Sequence, residues 1–206
     1  MRFPIPVFLF SLILFTAVRA VKRQRQTTKQ EEANEAFLER ERQANATRKK
    51  DISNLDYLAF SVKRLPISNY PDTKLTEYET ILTNLSNQKI INLSQYSNTD
   101  LKLMYGPANF NDLSEFDENY HTLSNTLFDY AKRESELGQT DAAIAILEYA
   151  MELKIDSSQI YLLLAKLYQT QNTPEKIQTI SDTLSSMDES FASFVLPKIN
   201  AFRTVE

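Results

Sequence analysis

The side chains that could do chemistry in this chain are few, and their spacing does not gather them. His121 is the single histidine. Its acidic neighbours in sequence are Asp117 and Glu118, and a metal-binding or general-base role would need further partners converging on it. No periodicity brings any, so His121 reads as a surface or packing residue. Asp112, Glu115, Asp117 and Glu118 invite comparison with a calcium loop, but the Gly at its sixth position and the Glu at its twelfth are missing in that register. A solvated acidic turn at a helix N-terminus accounts for them instead. The absence of Cys removes disulfides, thiolate metal sites and Cys nucleophiles together. Two Gly in 206 residues argue against phosphate-cradling loops, dinucleotide fingerprints and hairpin-rich β folds. Tyr96, Tyr105, Tyr120, Tyr130, Tyr149, Tyr161 and Tyr168 fall mostly on apolar faces and read as core. No catalytic, cofactor-binding or metal-binding residue is expected, and the chain is not expected to be an enzyme.

The charge is more informative than the chemistry. Residues 1–50 hold 11 Lys and Arg against 5 Asp and Glu, whereas residues 51–206 hold 12 against 22. A body of net charge −10 is a poor nucleic-acid binder, because phosphate contacts need clustered Lys and Arg. The basic N-terminal part adjoins an apolar run, Phe3 to Val18, sixteen uncharged residues that as a helix span about 24 Å of a hydrocarbon core of roughly 30 Å. Arg2, Arg19 and Lys22 can snorkel to extend it. A signal peptide cut after Ala20 is the rival, with Val18 and Ala20 as small residues before the cut. The thin basic region ahead of the run, Arg19 inside the proposed cleavage site, and the following Lys22, Arg23, Arg25 and Lys29 favour a retained anchor. By the positive-inside rule that flank stays in the cytoplasm. The expectation is a single-pass protein of the cell membrane with its C-terminal domain cytoplasmic. Asn45, Asn84 and Asn92 each begin an Asn-x-Ser/Thr triplet, a number that chance supplies, and they carry no weight for the opposite topology.

The elements follow from these constraints. Residues 1–21 form the anchor. Residues 22–50 hold only Phe37 and Leu38 as large apolar residues and are rich in Ala, Glu, Gln and Arg, which predicts a charged, solvated helical stalk. Its basic start could also meet anionic lipid, although a topology signal with a spacer accounts for it as well. Residues 51–117 are expected to form a capping region. Within it Leu58, Phe60 and Val62 alternate with Ala59, Ser61 and Lys63, which suggests a short extended strap, lying across helices or pairing with another copy. Leu75, Tyr78, Ile81, Leu82 and Leu85 predict a helix capped by Asp72 or Thr73. Asn98, Thr99 and Asp100 open a short helix through Tyr105, closed by Gly106 and Pro107.

From Glu118 to the end the pattern is helical and repeats at a fixed offset. Ala131 answers Ala165, Gly138 answers Asn172, and Ala143 answers Ile177. Gly138 serves the turn between two helices, Ala143 is small where they cross, Leu147 packs inward, and Ala150 admits the next unit. Asn172, Ile177 and Leu184 replace the small residues of the first copy, so the second helix of the second unit is expected to sit farther out or to be irregular. Residues 189–204 would make a closing helix.

The 34-residue period, with GQTDAAIAILEYAMEL (Gly138 to Leu153) and LLLAKLYQTQNTPEKI (Leu162 to Ile177), resembles the tetratricopeptide repeat. The strings KKDISNLDYL, NTDLKLMYG and LEYAMELKIDSSQIYLLLAKLYQ behind a terminal anchor also resemble uncharacterised single-pass membrane proteins of Gram-positive anaerobic bacteria. The resemblance implies an all-α fold, a short antiparallel helical array of two repeats over residues 118–206. It also implies that the first helices of successive repeats line a groove that binds protein or peptide. Carried over position by position, that groove holds Asn125, Phe128 and Lys132 from the first unit beside Gln159, Leu162 and Lys166 from the second. Two ammonium groups at equivalent positions could grip an acidic segment of a partner. The expected role is a membrane-anchored adaptor without cofactor; the alternative is a structural protein that self-associates as a homo-oligomer.

Overall fold

The computed structural model describes residues 5–67, 70–173 and 175–203, with the side chains of 5–14, 16–18, 20, 21 and 25–28 left outside that description. Among the described residues every regular element is helical. The α-helices are α1 (Ile5–Ala46), α2 (Thr73–Leu85), α3 (Asn98–Tyr105), α4 (Phe110–Glu136), α5 (Thr140–Glu152), α6 (Ser158–Thr170), α7 (Glu175–Ser185) and α8 (Glu189–Ala201), and single 3-10 turns stand at Val62–Arg64 and Pro107–Asn109. Among the described residues no helix is long and apolar enough to cross a membrane. The expected anchor, Phe3 to Val18, falls almost wholly on positions whose side chains lie outside the described residues.

The chain divides into two units: Met1–Ile52 with Tyr96–Phe110, and Ser53–Gln95 with Asn111–Glu206. In the first, α1 is solvated from Lys29 to Arg40 but not at its end, where Ala44 is fully buried and the helix packs on α3. Alternating charge makes that junction. Arg40 donates to Asp100 at 2.6 Å, Glu41 accepts from the Thr99 hydroxyl, and Lys102 reaches Glu41 at 3.2 Å. Hydrogen bonds from Thr99 and then Lys102 hold the Glu41 carboxyl below its ordinary pKa. The Ser97 side chain accepts from the Asp100 amide while Asp100 accepts from Ser97, a capping box one residue earlier than Asn98. Gly106 ends α3 at φ +87°, and a Cβ there would stand 2.6 Å from the Arg48 carbonyl oxygen, so only glycine lets the chain after α1 pass so close. The Lys50 amide then donates to the Tyr105 carbonyl at 3.0 Å.

The second unit holds the main core. Its entry, Ser53–Ile67, forms no strand, against the period-two reading of Leu58 to Val62. The backbone donors are engaged elsewhere: the Leu58 amide on the Ile90 carbonyl at 2.8 Å and the Ser61 amide on the Tyr149 hydroxyl at 2.8 Å. Phe60 is buried and stacked on the Tyr149 ring, and the Arg64 guanidinium lies over that same ring at 4.4 Å while donating to Glu152 at 2.6 Å. Along the alternation Phe60 is buried, Leu58 and Val62 are half-buried, and Ala59 and Lys63 are exposed. Helix α2 starts where Asp72 accepts from the amides of Lys74 and Leu75, and it buries Leu75, Leu82 and Leu85.

Helix α4 begins at Phe110 rather than near Glu118. The acidic run therefore lies within the N-terminal part of α4, Asp112 in its first turn, rather than in a turn ahead of it, and one of its carboxylates binds backbone, since Asp117 accepts from the Leu93 amide at 2.7 Å. Asn119 donates to the Lys89 carbonyl and the Ile91 amide to the Phe116 carbonyl, so the N-terminal half of α4 carries the loop that follows α2.

Beyond α4 the helix ends repeat. Gly138 at φ +80° and Asn172 at φ +57° stand 34 residues apart, both in the left-handed region, where Asn is tolerated because its short side chain bonds locally. Each is followed by a bond that wraps the helix end: Gln139 amide to Glu134 carbonyl at 2.9 Å, and Thr173 amide to Tyr168 carbonyl at 2.9 Å. Lys154, at φ +53°, closes α5 the same way through Ile155 amide to Ala150 carbonyl at 3.1 Å. Helix α5 packs on α6, α7 on α8, and α6 on both α7 and α8. Ala131, Ala143, Leu147, Ala150, Ala165, Ile177 and Leu184 are all fully buried. Helix α7, expected to sit farther out or to be irregular because of Asn172, Ile177 and Leu184, is a regular helix that buries Ile177 and Leu184.

Overpacking tests this register. Ala143→Leu should lower stability by about 1–3 kcal/mol, read as the shift in denaturant midpoint at constant slope; an unchanged midpoint would mean that Ala143 does not stand at a close helix crossing.

Candidate functional site

Asn125, Phe128 and Lys132 lie on α4, and Gln159, Leu162 and Lys166 lie on α6. The spacing of three and then four residues sets each trio on one helical face. Asn125, Lys132, Gln159 and Lys166 are exposed, whereas Phe128 and Leu162 are half-buried against one common core cluster. Each helix therefore sets one half-buried apolar side chain between polar ones, and the two trios stand 34 residues apart in sequence. Among the described residues neither the Lys132 nor the Lys166 ammonium has a salt-bridge partner. Lys176, by contrast, stands 3.5 Å from Glu148 and 5.2 Å over the Tyr168 ring.

The C-terminal end of α4 is pinned by the residue next to Lys132. Arg133 donates to Asp72 at 2.5 Å, and to Glu136 at 3.3 Å, so the cap of α2 and the last turn of α4 share one charge pair. The Arg133 hydrogen bond, then the amides of Leu75 and Lys74, outweigh desolvation and hold the Asp72 carboxyl below its ordinary pKa. On α6, Tyr168 donates to Glu148 of α5 at 2.6 Å, and burial pushes its phenol pKa up. Both helices that carry the trios are thus tied to a neighbour by a charged partner.

Two of the clefts among the described residues lie away from the six and draw on distant segments. One of about 300 Å³ is mainly apolar, lined by Val62, Leu65, Pro66, Ile67, Leu82 and Tyr130 among others. Its inner wall is fixed by the Tyr130 hydroxyl, which donates to the Pro66 carbonyl at 2.8 Å and approaches Glu79 at 2.9 Å. The other, about 520 Å³, is more polar and gathers Asn92, Lys154, Asp156, Met187 and Asp188 from successive loops. There Asp156 accepts from Tyr120 at 2.5 Å and from Asn92 at 2.7 Å, and burial raises the Tyr120 pKa. Sequence reasoning missed both clefts. They are made by partners far apart along the chain, and the only local signal was a tyrosine on an apolar face.

His121 is half exposed, with Nε2 at 3.6 Å from Asp117, whose other oxygen already serves Leu93. Among the described residues no group of three His, Asp or Glu side chains is arranged to hold a metal ion. No protein-family model, curated protein or solved structure matches the chain. The functional reading therefore rests on these residues alone.

The Asp72–Arg133 pair gives a pH prediction with a definite sign. A depressed carboxyl stabilises the fold fully above its unfolded value, near the ordinary 3.8, and loses that contribution as pH falls through the lower folded value. Wild type should therefore exceed Asp72→Asn in chemical-denaturation stability at pH 6, and the gap should shrink as the pH is taken below 3.8 and through the lower folded value. A gap independent of pH would mean that the charge contributes nothing.

Proposed function

We propose that this chain is a membrane-tethered adaptor that binds an acidic segment of a partner protein through a short tetratricopeptide-like helical array. The carrying observation is the pair Lys132 and Lys166, exposed, at equivalent positions of α4 and α6, and without a salt-bridge partner among the described residues. The periodic recurrence of left-handed helix ends at Gly138 and Asn172 and the packing of α6 on both α7 and α8 support the repeat reading. Residues 3–18 serve as the anchor, and the basic flank from Arg19 to Lys29 keeps the C-terminal domain cytoplasmic. The chain acts by binding rather than by catalysis, without cofactor and without nucleic acid.

The segment around Leu58 to Val62 serves as a strap over its own core. Its Leu58 and Ser61 amides are engaged within the chain and Phe60 is buried, which favours the adaptor over self-association through strand pairing between copies.

Lys132→Glu with Lys166→Glu should reduce capture of an acidic partner from detergent-solubilised membranes by at least about tenfold, while the melting midpoint stays within 1–2 °C or so of wild type, because exposed charges add little to stability but govern recognition. The wild-type interaction should also weaken as salt rises, since surface fields decay over about 8 Å at physiological ionic strength. Partners bound equally by both forms at all salt concentrations would contradict the groove.

A further inference from the structure

The strongest charge asymmetry of the chain lies on α1. Helix α1 runs without interruption from Ile5 to Ala46, so the apolar run and the basic residues after it share one rigid axis. Arg19, Lys22, Arg23 and Lys29 are all exposed. At 100° per residue their directions fall within an arc of about 120°, which makes a single basic stripe. The first acidic residues that follow, Glu31, Glu32 and Glu35, fall outside that arc. The Arg19 guanidinium also rests 5.2 Å over the Phe15 ring, where the apolar surface gives way to the charged one.

We propose that this stripe binds the headgroups of anionic phospholipids in the leaflet from which α1 emerges. The inference rests on reading Phe3 to Val18 as a membrane anchor. From the end of that run, Arg19, Lys22 and Arg23 lie about 2–8 Å along the axis, and Lys29 about 16 Å. The headgroup layer is about 5–8 Å deep on each side, so three of the groups sit within it. Lys29 stands about one screening length beyond, and an ordinary tilt of about 20° brings it closer. Clustered basic residues directly after a spanning helix draw anionic lipid, each strengthening binding by about fivefold. Residues 51–206, at net −10, are repelled by the same surface. The acidic body therefore adds nothing to the attraction.

The chain lacks Cys, so a donor fluorophore attached to full-length Ala33→Cys, just past the stripe, reports on nearby lipid. The protein is reconstituted into vesicles of phosphatidylcholine with 20 mol% or so phosphatidylserine, with trace acceptor on one lipid or the other. Energy transfer to the phosphatidylserine acceptor should exceed transfer to the phosphatidylcholine acceptor by at least about twofold. The two should become equal in the Lys22→Gln, Arg23→Gln, Lys29→Gln variant and in wild type at about 0.5 M NaCl. Equal transfer in wild type at low salt, with the protein still resisting alkaline carbonate extraction, would overturn the lipid contact and leave the anchor standing. Loss of the protein to the carbonate wash would overturn the anchor and the proposal with it. Abolition of the preference by millimolar inorganic phosphate at constant ionic strength would assign the stripe to free phosphate rather than to a bilayer, and overturn it too.

Discussion

The second unit depends on how its helices end. A chain that leaves a helix in the left-handed region turns back sharply enough for the next helix to pack antiparallel, and this conformation costs an ordinary L-residue about 1–2 kcal/mol. Gly138 removes that cost and Asn172 reduces it. Lys154 has no such help, and its strain is offset by the Ile155 amide that bonds back to Ala150 and by the complete burial of Ile155 itself. Gly138 and Asn172 stand 34 residues apart in sequence. At that same offset Ala131 and Ala165 are both fully buried, and Lys132 and Lys166 are both exposed.

Much of this was legible in the sequence where the cause is local. The turn at Gly138, the small residue at Ala143, the Asp72 cap and the closure of α3 at Gly106 each arise from a residue acting on its immediate neighbours. The rest was hidden because its causes are long-range. Nothing near Ser61 signals that its amide will meet the hydroxyl of Tyr149, 88 positions away, and without that partner the alternation from Leu58 to Val62 imitates a strand. Asp117 reads as part of a solvated turn because its partner, the Leu93 amide, lies on a separate segment. Ala44, one small residue in a polar helix, gives no sign of the burial that α3 imposes. Ile177 and Leu184 suggest a helix that sits farther out or is irregular, and α7 is regular with both buried.

The six residues expected to form a groove divide by chemistry in the way the helical period dictates. Phe128 and Leu162 lean into the core, while the polar four remain in water. Their supporting contacts were not legible, since Arg133–Asp72 and Tyr168–Glu148 both join helices distant in sequence. These pairs do not bind anything themselves. They hold the last turns of α4 and α6 in place, so that the charges beside them are presented from helical backbone rather than from a loop.

The proposed function requires that α4 and α6 present Lys132 and Lys166 side by side as equivalent members of one helical repeat. In a chain free of Cys, spin labels at Lys132→Cys and Lys166→Cys in the full-length protein measure this by pulsed electron resonance. An inter-axial spacing of about 8–10 Å plus two label tethers gives one narrow distance distribution below about 25 Å. A broad distribution, or a mean beyond about 35 Å, would contradict the repeat.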